Sequence, residues 1–387
     1  MAALTDDLLE EIFLRIASPA DLARASTACV SFRRLIAGPA FLRRYRSLHP
    51  PPLLGFLDPG PGGFQPAEAP HPNAPAARAL ARGTGFSFDY IPRGRGHHWY
   101  PRDVRDGRVL LFCSPDEQGG LVFPDLAVCD PVFRRYLLLP QVPDELLASV
   151  QVQKQHVQFF EAFLVPSGVK QEEEASFRVL GRVCCVSKMV VLVFSSGSGH
   201  WDVGISESWD ALSFEWTTVC RRPNASLAQL YIWLLLLESN SRNKLLKLDI
   251  NRMKFSVIDL PPGYDEMNVV IVETGEGRLG MFSNSSHIHG DAPVYYATRK
   301  NEGGSSNEWQ MEKTIPLPVN YNCCIVGAPE GYLFLLGVPK NQGTLGPACF
   351  SLDIKTLKIE RFSQMRLHYC HVYPYFGFPP FMLQRMI

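Results

Sequence analysis

Three segments of this chain repeat one small pattern, and few folds accommodate it. Leu126-Ala-Val-Cys-Asp130, Leu246-Lys-Leu-Asp249 and Phe350-Ser-Leu-Asp353 each place apolar residues one and three positions before an aspartate. That alternation belongs to a strand with one buried face. Six residues past each aspartate an apolar side chain returns, as Tyr136, Phe255 and Ile359, and the first two copies run on to Leu139-Pro140 and Leu260-Pro261. The spacing predicts a hairpin whose turn starts on the aspartate. Other arms put a tryptophan at a strand start: His200-Trp201-Asp202, Glu215-Trp216-Thr217 and Glu308-Trp309-Gln310, the last ending in Leu317-Pro318.

From Gly85 onward short apolar runs alternate with Gly, Pro, Asp, Asn and Ser, the texture of an all-β fold. Small sheets repeated at intervals of some dozens of residues bury their faces only against their neighbours, and a β-propeller is the natural closure. At roughly 40 to 50 residues per blade, the length predicts six or seven blades.

The first residues read differently. Leu8, Leu9, Ile12, Phe13 and Ile16 follow helical spacing, with Asp6, Asp7, Glu10 and Glu11 in the first turns and Thr5 as N-cap. Ser18-Pro19-Ala20-Asp21 opens a second helix with the pattern Leu22, Ala25, Ser26, Cys29. Phe32, Leu35 and Ile36 carry a third, which Gly38-Pro39 stops before Phe41, Leu42 and Tyr45 form a last turn or two. A unit of roughly 45 residues is near the size at which a core alone is seldom enough, so its apolar faces call for a partner. The boundaries are a helical domain at 4–48, a Pro/Gly-rich linker at 49–84 with a possible first strand at 53–57, and the β domain at 85–387. The composition between Asp58 and Arg82 predicts linker or long loop.

The N-terminal stretch resembles the F-box. The resemblance is carried by Leu4, Asp7-Leu8-Leu9, Ile12-Phe13-Leu14-Arg15-Ile16, Asp21-Leu22, Cys29 and Phe32-Arg33-Arg34-Leu35-Ile36. Thr5, Ala28 and Phe32 stand where that pattern usually has Pro, Val and Trp. Pro51-Pro-Leu-Leu-Gly-Phe56, Cys129-Asp-Pro131 with Leu139-Pro140, Leu248-Asp249 with Met253-Lys-Phe-Ser256, and Glu308-Trp309 are similar to the F-box-associated, kelch-like domains of plant F-box proteins. The resemblance implies a multidomain α+β chain, a small helical F-box followed by an all-β propeller. It also implies docking on a Skp1-like adaptor, and through it a cullin, by Leu4, Thr5, Leu8, Ile12, Phe13, Ile16, Leu22 and Phe32. The implied role is the non-enzymatic substrate-recognition subunit of an SCF-type ubiquitin ligase, with an unknown target protein on the propeller. The alternatives are a propeller enzyme or sugar-binding protein with a helical cap, and an adaptor-binding protein outside ubiquitin ligases.

Lys plus Arg equals Asp plus Glu at 38 each in 387 residues, which gives no global field toward nucleic acid or an acidic membrane. The acidic start is unlike a signal peptide, so the expected location is cytoplasmic, nuclear or both. The apolar run from Leu230 to Leu237 is too short for a membrane helix and reads as a buried strand. The ten cysteines lie singly or as the doublets Cys184-Cys185 and Cys323-Cys324, which points to buried free thiols.

Gly275-Glu-Gly277-Arg-Leu-Gly280 matches a dinucleotide fingerprint in letters, but Met281-Phe-Ser-Asn-Ser-Ser does not open the helix that would hold pyrophosphate; a hairpin turn is the reading. His97-His98 and His368 with His371 each need a third ligand from elsewhere to hold a metal. Ser195-Ser-Gly-Ser-Gly199 lacks the flanking glycine of a nucleophile elbow and reads as a turn. No cofactor, metal or catalytic residue is expected.

Overall fold

The computed structural model describes residues 5–49, 51–57, 63–84, 86–92, 98–114, 123–165, 176–212, 232–234, 244–261, 267–274, 278–285, 293–299, 309–328, 331–341, 345–364 and 373–377. It begins with four short helices: α1 (Asp6–Leu14), α2 (Pro19–Ala28), α3 (Val30–Ile36) and α4 (Pro39–Leu48). Their starts follow the local chemistry. Thr5 Oγ1 accepts from Leu8 N and Ser18 Oγ from Asp21 N, with Pro19 in the first turn of α2. Cys29 leaves the apolar pattern assigned to the second helix: it is exposed, and its Sγ accepts from Phe32 N as the cap of α3. Pro39 opens α4 rather than only ending α3, because its missing N–H costs nothing at a helix start. Phe13, Leu14, Leu22, Ile36, Phe41, Leu42 and Tyr45 form the core of this unit, and Tyr45 donates its hydroxyl to Ile16 O at 2.8 Å.

The rest is a β-propeller, as the repeats predict. β1 (Leu53–Leu57) and β2 (Phe64–Pro66) come first, followed by α5 (Ala74–Gly83). Sheet two runs β3 (His98–Arg105), β4 (Arg108–Ser114), β5 (Asp125–Asp130) and β6 (Arg135–Leu138). After α6 (Asp144–Ser149), sheet three runs β7 (Val157–Leu164), β8 (Arg178–Cys185), β9 (Lys188–Ser195) and β10 (His200–Ser208). Sheet four holds β11 (Ile232–Leu234), β12 (Lys244–Asp249) and β13 (Lys254–Asp259). Sheet five runs β14 (Met267–Glu273), β15 (Leu279–Ser285), β16 (Val294–Arg299) and β17 (Gln310–Ile315). Sheet six runs β18 (Tyr321–Gly327), β19 (Tyr332–Pro339), β20 (Ala348–Asp353) and β21 (Ile359–Gln364). The last strand, β22 (Tyr373–Phe376), returns to pair antiparallel with β1 and completes sheet one.

The buried clusters show why the sheets form a ring. Each is made by two or three successive sheets: two with three around Leu110, Val128 and Val190; three with four around Val191 and Leu248; four with five around Ile258 and Met281; five with six around Phe282 and Leu335. The last cluster joins sheet one to both its neighbours, with Leu53 and Tyr375 set against Val109 and Ala127 on one side and Phe334 and Phe362 on the other. A strand with a neighbouring sheet on each side is buried on two faces, which accounts for the continuous burial of Leu53–Leu57, while outer strands such as β17 stay largely exposed.

The stretch between Asp58 and Arg82 departs from the linker expectation. β2 adds to sheet one, and α5 forms where five alanines in Ala74-Pro-Ala-Ala-Arg-Ala-Leu-Ala supply the best helix former and Pro75 sits in the first turn. Ala74, Ala77 and Leu80 are buried beneath it. The run from Leu230 is a strand at Ile232–Leu234; its other residues lie outside those described.

The three aspartates make one turn. Asp130 Oδ1 accepts from Val132 N and Phe133 N at 3.0 and 3.2 Å, Asp249 Oδ1 from Asn251 N and Arg252 N at 3.0 and 3.1 Å, and Asp353 Oδ1 from Thr356 N at 2.8 Å. Four residues past each aspartate the backbone turns left-handed, at Arg134, Met253 and Leu357, with φ of 52°, 46° and 57°. These turns join the last two strands of sheets two, four and six. The tryptophans belong to the sheets between: Trp201 on β10 donates its indole N–H to Pro140 O at 2.8 Å, and Trp309 before β17 donates to Asp259 O at 3.0 Å. In both cases the indole ties the outer strand of one sheet to the end of the preceding sheet. Trp216 lies outside the described residues.

Gly55 marks the tightest point of the seam, since a Cβ there would stand 2.4 Å from Gln65 O. Gly55→Ala is expected to cost about 1–3 kcal/mol in urea-induced unfolding, through a clash with backbone that has no room to yield.

Candidate functional site

Two places on the molecule stand out, one on the helical unit and one on the inner strands of the ring. On the helical unit, Leu8 and Ile12 lie one turn apart on α1 and are 53% and 46% exposed; Val30, the first residue of α3, is 74% exposed. These are large apolar side chains left in water beside a core that is already complete. Arg44 on α4 holds Glu10 and Glu11 of α1, the latter at 2.5 Å, which fixes the angle between the two helices.

The residues assigned to adaptor docking separate into two groups. Leu8 and Ile12 face outward, Thr5 is an exposed cap, and Ile16 and Phe32 are half-buried. Phe13 and Leu22 are buried, because the interior of a four-helix unit this small needs them, and Phe13 packs edge-on against Phe32 at 4.9 Å. They shape the exposed face from behind. Leu4 lies outside the described residues, and Val30 was missed because it precedes the apolar pattern of its helix.

The second place is a charged cluster where the inner strands β22, β3 and β7 lie side by side. Glu161 on β7 is buried and accepts from two guanidinium groups, Arg102 at 2.8 Å and Arg182 at 2.5 Å. Arg182 is itself buried, with Phe159 beneath its guanidinium at 5.4 Å. Asp103 on β3 accepts from Val104 N and, across the sheet boundary, from Leu164 N, both at 2.9 Å, with Arg105 Nε at 3.5 Å. Desolvation pushes the Asp103 carboxyl above its ordinary value, opposed by Arg105 and the two N–H donors. Burial likewise raises the Tyr373 phenol, which feels Arg102, Asp103 and Glu161.

None of these five charged residues was singled out in sequence. A signal was present in Phe159-Phe-Glu161-Ala-Phe and Val179-Leu-Gly-Arg182-Val, each a charge inside a strand otherwise apolar on both faces. Such a charge persists only where it meets a partner.

The remaining motifs resolve into scaffold. β14 and β15 pair with Val272 opposite Gly280, so strand follows strand where a dinucleotide fold needs a helix; Gly275 and Gly277 lie outside the described residues. Ser195 ends β9, and Ser196 to Gly199 form the turn to β10. His98 is exposed at the start of β3, while His97, His368 and His371 lie outside the described residues. Among the described residues no three His, Cys, Asp or Glu side chains are placed to hold a metal ion, and no helix is long and apolar enough to cross a membrane. The eight described cysteines are free thiols, six of them buried.

No family model and no curated protein matches the chain. Among solved structures it overlays an α-L-arabinofuranosidase from Clostridium thermocellum at 12% identity and a TM-score of 0.32, covering 74% of this chain and 98% of that one. It overlays an exo-β-1,3-galactanase from Phanerochaete chrysosporium at 9% and 0.33, covering 72% and 66%, and a xylan β-1,4-xylosidase from Bacillus halodurans at 9% and 0.31, covering 71% and 55%. At these identities and scores the likeness gives no residue-by-residue correspondence. The solved structures are carbohydrate-cleaving enzymes, and the expectation of a non-enzymatic ubiquitin-ligase subunit is corrected accordingly: the ligase role and the absence of catalysis are both withdrawn.

Glu161→Gln leaves Arg182 buried beside a neutral partner, and the variant is expected to lose about 3–5 kcal/mol in chemical unfolding. A loss below about 1 kcal/mol would mean that the buried charges of Glu161 and Arg182 contribute little to the stability of sheet three.

Proposed function

We propose that the chain is a docking protein, in which the helical unit binds a partner protein through the outward face of α1 and α3. The observation that carries this reading is the exposure of Leu8, Ile12 and Val30 on a unit whose own core is filled. The resemblance of this stretch to the F-box makes a Skp1-like adaptor the partner to try first. Ubiquitin transfer forms no part of the proposal. Burying Leu8 and Ile12 contributes roughly 1.5 to 3 kcal/mol each, enough together to decide a micromolar complex. The test is co-purification of the full chain with a Skp1-like adaptor, repeated with Leu8→Asp plus Ile12→Asp. Binding is expected to fall at least about 100-fold with the circular dichroism spectrum unchanged. Undiminished binding by the folded double variant overturns the proposal.

A second reading concerns the propeller, whose described residues form six sheets, each of which we read as one blade. Arg102, Asp103, Glu161 and Tyr373 gather a guanidinium, two carboxylates and a phenol on three adjacent inner strands. That is the mixture of donors and acceptors a hydroxyl-rich ligand takes, and Arg102 retains 26% side-chain exposure. We read the cluster as the floor of a carbohydrate site. Aryl α-L-arabinofuranosides, β-D-galactosides and β-D-xylosides are the first probes. Turnover or saturable binding that Arg102→Ala removes supports this reading, and inertness of the wild-type chain toward all three counts against it.

A further inference from the structure

The seam of the ring is fastened by a segment that hinges on one buried imidazole. Between β2 and α5 the chain crosses from sheet one to sheet six: Glu68 N donates to Phe362 O at 2.8 Å, and Gln364 N donates to Glu68 Oε2 at 3.1 Å. His71 then turns the chain back. Its N–H donates to Glu68 O at 2.9 Å, and its carbonyl accepts from Ala74 N at 3.0 Å. Its ring packs edge-on against Phe362 at 5.0 Å and is 4% exposed. Nδ1 of that ring accepts from Asn73 N at 3.2 Å, and the Asn73 side chain donates to Leu53 O at 3.0 Å, the first residue of β1.

An Nδ1 that accepts a hydrogen bond has no proton, so this geometry holds only for the neutral ring. Protonation sets an N–H against the Asn73 N–H and places a cation beside Phe362. Charged groups nearby do not cancel this. Glu360 on β21 attracts a charged ring, but its carboxylate is paired with Lys358 Nζ at 2.6 Å. The Glu68 carboxylate receives Gln364 N–H, and the Tyr332 phenol on β19 is held neutral by burial.

We propose that His71 is an acid-sensitive latch on the closure of the propeller: when Nδ1 takes a proton, Asn73 lets go of Leu53 and the segment that clasps sheets one and six opens. Burial lowers the folded-state affinity of the ring for a proton, so the unfolded or opened chain holds more protons. The latch is therefore closed above the ordinary imidazole value of 6.5 and weakens as pH falls below it. In that window the ratio of closed to open chain falls by up to about tenfold per pH unit.

The test is amide hydrogen exchange on the full chain, corrected for intrinsic rates, at about pH 7.5 and about pH 5. Protection of 64–77 and of 53–57 is expected to drop about tenfold or more on acidification, with sheets three to five unchanged. His71→Gln, whose amide oxygen accepts from Asn73 N without titrating, is expected to abolish the drop. Unchanged wild-type protection at low pH, or an equal drop in His71→Gln, overturns the proposal. Should that variant fail to fold, C2–H exchange of His71 in the wild-type chain decides instead: a titration midpoint that coincides with the loss of protection supports the latch, and one that does not overturns it.

Discussion

Everything in the β domain depends on the pairing of β1 with β22. Stacked sheets bury their faces only if each has a neighbour on both sides, and a row of sheets leaves two ends bare. The chain solves this by building one sheet from the first and last described strands of the β domain, Leu53 to Leu57 against Tyr373 to Phe376. The backbone bonds at the margins, Gly377 N to Pro52 O and Glu68 N to Phe362 O, extend the seam in both directions. Gly55 exists in its bare form because β2 crosses it too closely for any side chain. His71 and Asn73 belong to the same device.

Much of this was legible in the sequence because it rests on short-range chemistry. An aspartate that ends an alternating strand has few uses other than to accept N–H groups of the turn, so Asp130, Asp249 and Asp353 announced three hairpins. Thr5 and Ser18 marked helix starts for the same reason. What could not be read was long-range. Nothing local tells that Trp201 reaches Pro140 or that Glu161 sits between Arg102 and Arg182, since these partners lie 61, 59 and 21 residues apart. The helix α5 is hidden for a different reason: its alanine run lies inside a stretch whose Pro and Gly content reads as loop. The docking face was legible as an apolar excess. Its division into Phe13 and Leu22 within and Leu8 and Ile12 without required the packing of all four helices.

Aspartate turns and indole ties alternate around the ring. Sheets two, four and six carry the turn, and sheets three and five carry the tryptophan that grips the sheet before. The working unit is thus a pair of sheets. Asp103 and Arg102 of sheet two reach Leu164 N and Glu161 of sheet three and so bind the two sheets within one such pair, where the indole of Trp201 also acts. Rigidity at that boundary is supplied twice over, once at the inner strands and once at the outer.

The seam also sets a clock on biosynthesis. β1 is among the first strands made and β22 is the last, so five consecutive buried residues wait while the roughly 315 residues between them are made. At about 5–20 residues per second the wait is roughly 15 to 60 s. Throughout that interval Leu53–Leu57 is an apolar strand with no partner on its β22 side, held only by β2. Until β22 is made, the β22 side of Leu53–Leu57 has no strand to pair with, so closure of sheet one follows synthesis of every other strand described.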